Sequence, residues 1–459
     1  MPITNSKINK SKYSDKDIYD CIVIGTGTSS EPVLYHLSKT KLKTLVIDRS
    51  NIYKEYKSVD RGKKGYISNL TPKQIFSDLK IHHKKDEIYL TPNLILKCIR
   101  FSYIFSYVSG GLSNFWGGGL FNWPDSEIKK TTSLPCKLIK KSYKNIFKRL
   151  KILNRDQFLQ QSFFAKSFLS KNNKNIFQPS KFFISNEGMS NYQNKREHYD
   201  QNLIWKSSHT IRKYLEESEN LEYRPNVTAL SIEKKEICNL VYCCQNDINI
   251  TIKTKAIFLC SGVLNSTYLA FSALNMRETS LTLNHGFAAI VPILYCGFLP
   301  RFNKDNIELP DLSWSLLSKK INISGYLISS RFINKKLTLK FKNYFLKGIN
   351  KIVEKIISSV AFISVFTDSN QSKTILNIKR IYGQKNQKDK YFVEIKNYNN
   401  EKTKRKFISS EFKKINKFIK GRFFLLNFLI QYAKTGGDIH YGSTMPDENI
   451  MASSINTTS

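Results

Sequence analysis

Two glycines and an acid near the start of the chain are candidate ligand-binding residues. Gly25 and Gly27 flank Thr26 directly after an apolar run, and Asp48 ends a second apolar run. A glycine turn before a helix allows close backbone approach to a pyrophosphate, and the helix N-terminus supplies N–H donors and a positive dipole end. An acid about 20 residues further on can accept hydrogen bonds from a ribose diol. The pattern predicts a dinucleotide-binding turn, with Ser30 in place of the third glycine of G-x-G-x-x-G.

Two further segments place glycine where backbone could approach a ligand. The sequence GGLSNFWGGG at 110–119 holds five of the 20 glycines of the chain. Such a density indicates that backbone passes close to another group there. Further along, Ser261 and Gly262 follow the apolar run 256–260 and precede a stretch with helical spacing. This repeats the order strand, glycine, helix.

The elements that must position these residues follow from hydrophobic periodicity. Apolar runs at 21–24 and 44–47, separated by Val33, Leu34 and Leu37 at helical spacing, predict a βαβ unit. Further strands are predicted at 227–232, 241–244 and 256–260, and a helix at 264–274. Between 65 and 109 the pattern predicts only loops and helical pieces.

A second, sheet-containing domain is predicted from alternating runs between 300 and 395. Within it, 374–381 and 391–395 around Gly383 predict a β-hairpin. The segment 135–153 interleaves lysines with apolar residues and predicts a basic amphipathic helix, with Pro135 suited to its first turn. The segment 402–434 is predicted to be helical by its periodicity.

Length and composition bound the class of protein. The chain has 459 residues, a formal net charge of +37 and 41% hydrophobic residues, which suits two or three domains and excludes wholesale disorder. The longest apolar runs, 288–300 and 423–433, are shorter than the roughly 20 residues that cross a bilayer. The N-terminus has no apolar signal region, so a cytoplasmic protein is expected. The eight scattered cysteines are expected to be reduced thiols.

The positive charge comes from lysines spread along the whole chain, and a biased genome explains it as readily as a function does. The basic segments 135–152 and 402–422 could bind anionic lipid or a charged glycan, and otherwise are solvated faces. They lack the clustered arginines and aromatic residues of a nucleic-acid groove, so no nucleic-acid partner is expected. Cys243 and Cys244 are interpreted as apolar thiols, and His82 and His83 as a solvated loop; no metal site is predicted.

Four separated segments resemble the glucose-methanol-choline (GMC) family of flavin-dependent oxidoreductases, which includes sugar and sterol oxidases. They are the βαβ unit, the stretch GGLSNFWGGG, the segment KAIFLCSGVLNSTYLA at 255–270 with the strand that begins at Pro225, and the sequence DIHYGSTMP at 438–446. The resemblance implies an α/β fold with a discontinuous Rossmann-like FAD domain made of 1–130, 220–300 and 420–459. It also implies a substrate domain of antiparallel sheet and helices, made of 131–219 and 301–419.

The cofactor implied by the resemblance is FAD. Some sugar-oxidising members bond the flavin covalently to a histidine just before the tryptophan, and Phe115 stands at that place here, so non-covalent FAD is expected. Ser261 and Gly262 would lie near the diphosphate or ribose, and the strand containing Val227 would face the adenine. The residues implied to hold FAD are Gly25, Gly27, Thr28, Asp48, Gly110, Gly111, Ser113, Asn114, Gly117, Val227, Ser261 and Gly262.

The catalytic residue implied by the resemblance is His440. In the family the matching histidine lies over the flavin on the substrate side. Oxidising an alcohol moves a hydride from carbon to flavin N5, and the hydroxyl proton needs an acceptor with a pKa near the working pH, which imidazole supplies. The expected reaction is dehydrogenation of a CH–OH group of an alcohol or sugar-like substrate. The sequence leaves the electron acceptor open.

The C-terminus departs from the family pattern. In the family a strand and a helix follow this histidine and supply a second His or Asn, whereas this sequence ends at Ser459 in a polar tail that contains Asn456. The expectation is that the chain is truncated at its C-terminus, that another side chain takes the place of this partner, or that the protein binds FAD poorly and has no activity. Two alternatives stay open beside the oxidoreductase: a catalytically inactive FAD-binding relic, and a basic peripheral membrane protein with weak affinity for anionic lipid.

Overall fold

Four parallel strands form the part of the fold that carries the first glycine turn. In the computed structural model they are ordered β11 (Leu221–Arg224), β2 (Thr44–Ile47), β1 (Ile18–Ile24) and β14 (Ile248–Leu259). The antiparallel strands β13 (Asn239–Gln245) and β12 (Val227–Lys234) extend this sheet to six strands. The structure describes residues 18–53, 79–82, 87–114, 119–120, 125, 128–129, 134–150, 152–154, 163–172, 176–183, 205–296, 312–317, 322–329, 360–367, 374–383, 389–399, 401–419 and 423–436.

Helices cover both faces of this sheet, as the alternation along β1 requires. Cys21 and Val23 lie in a core with α1 (Ser30–Leu37) and α4 (Ser207–Glu217). Ile22 and Ile24 lie on the other face in a larger core, the first core, which contains α5 (Val263–Ala273). The predicted βαβ unit, the three later strands and the helix after Gly262 are confirmed, although the strand predicted at 256–260 begins eight residues earlier, at Ile248.

A five-stranded sheet closes the core around α5. Its order is β15 (Glu278–Thr282), β20 (Thr374–Ile381), β21 (Lys390–Asn397), β5 (Leu94–Ile99) and β4 (Ile88–Thr91). The predicted hairpin is confirmed as β20 and β21. Its residues Leu376, Val393 and Ile395 pack into the core that also contains Ile22 and Ile24 of the parallel sheet. The hairpin therefore contributes to the core of the parallel-sheet unit.

A seven-stranded sheet forms a separate core, the second core. Its strands are β22 (Phe423–Leu425), β16 (Ala288–Tyr295), β19 (Val360–Thr367), β18 (Asn322–Ser329), β17 (Leu312–Leu317) and β9 (Phe177–Pro179) in that order, with β23 (Gln431–Tyr432) also paired to β16. Its described pairings are antiparallel. Helices α3 (Phe163–Lys171) and α6 (Glu401–Asn416) bury Phe168, Ile408 and Phe412 against it.

The remaining described elements are smaller. They are the pair β3 (Leu79–His82) and β6 (Tyr103–Ser106), the three strands β7 (Gly119–Leu120), β10 (Lys181–Phe183) and β8 (Ile152–Asn154), helix α2 (Cys136–Arg149), and 3-10 turns at Gly111–Asn114 and Asn427–Leu429. Helix α2 confirms the predicted basic helix, and Pro135 is its N-cap. Together the elements confirm the α/β class.

Two predictions from periodicity are wrong. The segment 65–109, predicted as loops and helical pieces, contains strands β3 to β6, because Leu94, Leu96 and Cys98 alternate into the first core. The helix predicted over 402–434 ends at Asn416. Phe423 and Leu425 instead pair with β16 as an edge strand, and they are buried by a partner distant in sequence.

The two cores meet where the chain passes from β15 to β16. Leu283 lies in the first core and Phe287 in the second, and His285 lies fully buried between them. The His285 Nε2 atom is 2.8 Å from Thr374 Oγ1, at the start of β20. This buried segment is therefore one of the connections between the parallel-sheet unit and the antiparallel-sheet unit.

Candidate functional site

The first glycine turn is packed directly against the end of β14. Gly25 has φ +100°, and its N–H donates to the Ile47 carbonyl at 2.9 Å. A Cβ at Gly25 would lie 2.6 Å from the carbonyl oxygen of Cys260, a separation that real Cβ atoms do not show. Only glycine satisfies both the dihedral angle and the packing there. The turn thus lies where the carboxyl ends of β1 and β14 meet.

Asp48 is held by donors from the turn and from its own loop. Its Oδ2 atom accepts from the Thr26 N–H at 2.8 Å and from the Thr26 hydroxyl at 2.5 Å. Its Oδ1 atom accepts from the Ser50 N–H and the Ser50 hydroxyl, both at 2.8 Å. Burial raises the pKa of Asp48, and the hydrogen bonds from Thr26 and Ser50 oppose that rise. Four donors match the capacity of a carboxylate, so any ligand hydroxyl must share or replace the Ser50 donors.

A chain of hydrogen bonds joins this turn to the second glycine segment and to α4. The Gly110 N–H donates to the Thr26 hydroxyl oxygen at 3.1 Å, and the Ser113 hydroxyl donates to the Gly110 carbonyl at 2.6 Å. The Ser207 hydroxyl donates to the Thr26 carbonyl at 3.0 Å, and the hydroxyls of Ser113 and Ser207 are 3.0 Å apart. Three segments distant in sequence therefore form one hydrogen-bonded unit.

The backbone of the second segment faces the first turn. Gly110 and Gly111 have φ +87° and +53°, and the Asn114 side-chain amide donates to the Gly111 carbonyl at 3.0 Å. Among the described atoms, a Cβ on Gly111 would meet only the Cα of Gly27, at 3.8 Å, and a Cβ on Gly27 would meet only the Cys260 carbonyl oxygen, at 3.5 Å. The backbones of Gly27 and Gly111 are therefore close neighbours with no side chain between them.

The turn at Gly262 is more open. Gly262 caps α5 with φ +84° and ψ 164°, a region almost confined to glycine, yet a Cβ there would meet no described atom within 4 Å. The Asn265 amide donates to the Ser261 carbonyl at 3.2 Å, while the Asn265 Oδ1 atom is buried and has no hydrogen-bond partner among the described residues. This turn therefore offers an acceptor and open space beside a helix N-terminus.

Helix α1 begins beside the first turn with a buried carboxylate. The Ser30 hydroxyl donates to the Gly27 carbonyl at 2.6 Å, and the next residue, Glu31, is 1% exposed. Arg149 of α2 donates to Glu31 Oε2 at 2.6 Å, and the Tyr214 hydroxyl of α4 donates to Oε1 at 2.8 Å. An uncompensated carboxylate would repel an anion bound at this helix end, and the Arg149 guanidinium supplies the opposite charge.

The site as built has the features that a dinucleotide cofactor needs. Gly27, Gly111 and Gly262 present backbone without side chains, and α1 and α5 both begin at this edge of the sheet. The Asn265 oxygen, which has no described donor, is an acceptor suited to a ribose hydroxyl, and Asp48 could accept from one by exchanging one of its four donors. The residues present therefore fit FAD.

The predicted site residues divide into those brought together and those not described. Gly25, Gly27, Asp48, Gly110, Gly111, Ser113 and Asn114 share the hydrogen-bonded unit, and Ser261 and Gly262 lie next to Cys260 at its edge. Thr28 is exposed in the turn. Val227 is buried, and its N–H donates to the Asp48 carbonyl at 2.9 Å. Gly117 and His440, like Phe115, lie outside the described residues.

Sequence reasoning missed Ser207, Ser50 and Ser109. Ser207 begins α4, and a serine before Ile211 and Leu215 at helical spacing is a local signal for a helix start. Nothing local indicates that its hydroxyl reaches Thr26. The hydroxyls of Ser50 and Ser109 are 2.6 Å apart and tie the Asp48 loop to the second glycine segment. Their separation in sequence hides this contact from any local pattern.

The comparisons with known proteins add a likeness of fold. No protein-family model matches the sequence, and no curated protein matches it. Solved structures do match, among them a crystal structure of pyridoxine 4-oxidase from Mesorbium loti. That alignment covers 82% of this chain and 75% of that chain, with 9% sequence identity and a TM-score of 0.48. A likeness of this degree carries no conclusion about activity.

Neither a cluster of metal ligands nor a membrane-spanning helix occurs among the described residues. Within it, no three His, Cys, Asp or Glu side chains come together as candidate metal ligands. No helix there combines the length and the apolar character that crossing a bilayer requires. None of the eight cysteines is in a disulfide, and burial raises the pKa of Cys260 to about 11.

Proposed function

We propose that the protein is an FAD-dependent oxidoreductase that dehydrogenates a CH–OH group of an alcohol or sugar-like substrate, with His440 as the base. The observation that carries the proposal is the convergence of three glycine turns at the carboxyl edge of one parallel sheet. Gly27, Gly111 and Gly262 leave bare backbone around that edge, and Asp48 ends the neighbouring strand. This is the place where open α/β sheets bind nucleotides.

Each segment has a separate task in the proposed site. The N-termini of α1 and α5 would bind the diphosphate, and Asp48 and Asn265 would accept from ribose hydroxyls. The segment 110–114 would hold the flavin in place from the side of Gly27. When bound, FAD supplies an acceptor for the hydride that leaves the substrate carbon.

His440 would take the hydroxyl proton of the substrate. Its assignment rests on the resemblance of DIHYGSTMP to the family segment, since the described residues end at Gly436 before it. A neutral imidazole has an ordinary pKa of about 6.5, which suits a base near neutral pH. The oxidant that accepts electrons afterwards and the identity of the substrate are outside this proposal.

Flavin binding is tested with Gly27→Ala. The Cβ added at Gly27 has only ordinary contacts, so the fold should be kept, while a ligand that approaches this backbone should be displaced. After reconstitution with FAD, we expect the wild type to show an oxidised-flavin absorption spectrum, released into the supernatant by acid precipitation. We expect Gly27→Ala to bind FAD at least about tenfold more weakly. Ser142→Ala, at an exposed position on α2, is the control and should bind normally.

Three outcomes would contradict parts of the proposal. A folded wild type that stays colourless after reconstitution would remove the flavin assignment. A flavin-loaded His440→Ala variant that oxidises an alcohol or sugar as fast as the wild type would remove His440 as the base and leave the cofactor site standing. A flavin-loaded wild type that reduces its flavin with no tested alcohol or sugar would favour the inactive relic.

A further inference from the structure

Helix α2 is a basic amphipathic helix that the described fold covers only in part. Its 14 residues, CKLIKKSYKNIFKR, include five lysines and no acid, and no residue of the helix is buried. Ile146 and Phe147 near its C-terminal end pack partly against Leu150 and Trp205. The core contacts described for this helix therefore lie at its C-terminal end.

Exposed apolar side chains lie at the N-terminal end. Leu138, in the first turn of the helix, is 50% exposed, and Leu134, which precedes the N-cap Pro135, is 38% exposed. At about 100° per residue, Lys137 and Lys141 both lie to one side of Leu138. The described fold therefore presents exposed leucines close in sequence to exposed lysines, a combination that suits a membrane interface.

Lysine-rich composition alone does not produce this arrangement, as α6 demonstrates. That helix is also rich in lysine, yet Ile408, Phe412 and Ile415 on its apolar side are fully or almost fully buried. Its charge is also partly balanced, since Lys414 pairs with Glu411. In α2 the described ion pairs are Lys140 with Asp125 and Arg149 with Glu31, and neither involves Lys137, Lys141, Lys144 or Lys148.

We propose that the N-terminal half of α2 docks on an anionic lipid bilayer surface. Leu134 and Leu138 enter the boundary between headgroups and acyl chains, and Lys137, Lys141 and Lys144 contact lipid phosphates. Charge complementarity selects this occupant: a run of lysines without acids is attracted to a negative surface, and exposed leucines gain by leaving water. Lysine without clustered arginine or stacking aromatic rings suits a diffuse anionic surface better than a nucleic-acid groove.

The test is co-sedimentation of the full chain with vesicles of phosphatidylcholine alone or with about 30% phosphatidylserine. We expect pelleting with the anionic vesicles, reduced but not abolished at high salt because the leucines remain inserted. A Lys137→Gln/Lys141→Gln/Lys144→Gln variant should lower the partition coefficient at least about tenfold, since each lysine near such a surface contributes on the order of 1 kcal/mol. Leu138→Gln should lower the binding that persists at high salt.

Matched controls separate α2 from charge in general. Lys402→Gln/Lys406→Gln/Lys413→Gln removes the same charge from exposed positions of α6, and Leu274→Gln removes an exposed leucine elsewhere. Both should bind vesicles nearly as the wild type does. The proposal is overturned if the α6 variant loses as much binding as the α2 variant, or if the wild type does not pellet with anionic vesicles. Binding to duplex DNA without binding to vesicles would likewise overturn it.

Discussion

The two strand–glycine–helix turns at the edge of the parallel sheet differ in how tightly the protein holds them. At Gly25, a neighbouring carbonyl occupies the space of a Cβ, and hydrogen bonds through Thr26 reach Asp48, Gly110 and Ser207. At Gly262, the space of a Cβ is open. The same order of elements thus gives a tightly packed turn at Gly25 and a turn at Gly262 that leaves polar atoms available. Substituting the two glycines should therefore lower the free energy of unfolding by different amounts.

The largest expected effect is that of Gly25→Ala. The new Cβ would meet the Cys260 carbonyl at 2.6 Å, and alanine would have to adopt φ +100°. Backbone strain and overpacking together should lower the free energy of unfolding by about 4 kcal/mol or more. Urea unfolding followed by circular dichroism measures it. A loss of less than about 1 kcal/mol would show that this turn is not tightly packed.

The next effect is that of Asp48→Ala. The substitution leaves the donors of Thr26 and Ser50 without their acceptor, which should lower the free energy of unfolding by about 3 kcal/mol. Asp48→Asn keeps part of the acceptor capacity and should cost less. If both variants unfold at the wild-type urea concentration, the hydrogen bonds around Asp48 do not stabilise the first turn.

Lowering the pH should change the stability contributed by the first turn and by the junction of the two cores in opposite directions. Burial lowers the pKa of His285 to about 4, so the folded state favours its neutral form. The free energy of unfolding should therefore decrease as the pH falls from about 6.5 to 4, by at most about 3 kcal/mol. The raised pKa of Asp48 has the opposite sign, because the folded state then binds that proton more readily than the unfolded chain.

The measurement is the urea midpoint across this pH range. His285→Gln should flatten the acid side of the profile, and His36→Gln, at an exposed position, should leave it unchanged. A profile for His285→Gln that still falls as steeply as the wild type would assign the acid sensitivity to other groups.

The smallest of these effects on stability is that of Gly262→Ala. The Cβ meets no atom of the described residues, so the dihedral angle is what opposes the substitution, at about 2 kcal/mol. Paired unfolding curves of Gly25→Ala and Gly262→Ala test the comparison directly. Equal losses in the two variants would mean that packing against Cys260 contributes nothing.

The sequence alone predicted the parts of the fold whose signals are local. The βαβ unit follows from two apolar runs and a glycine turn, and the bounds of β2 and β20 agree with the predicted 44–47 and 374–381. The edge strand β22 was missed because Phe423 and Leu425 owe their burial to β16, more than 120 residues earlier. Helical periodicity in 402–434 could not reveal that partner.

The same limit applies to the site. Glycines at positive φ could be located from sequence, because few other residues tolerate that conformation. The contact of Ser207 with Thr26 joins residues separated by 181 positions, and it depends on where α4 crosses the sheet. Such contacts follow from tertiary packing and leave no pattern along the chain.

The buried pair of Glu31 and Arg149 has a consequence for the orientation of the whole molecule. Separating α2 from α1 would leave the Glu31 carboxylate, which is only 1% exposed, without its ion-pair partner, at a cost of roughly 3–5 kcal/mol. Helix α2 is therefore fixed to the body of the protein at its last residue and cannot act as a tethered, freely tumbling arm. A bilayer that binds α2 would hold the parallel sheet at one tilt, so every molecule on a membrane would present its glycine turns at the same height and in the same direction.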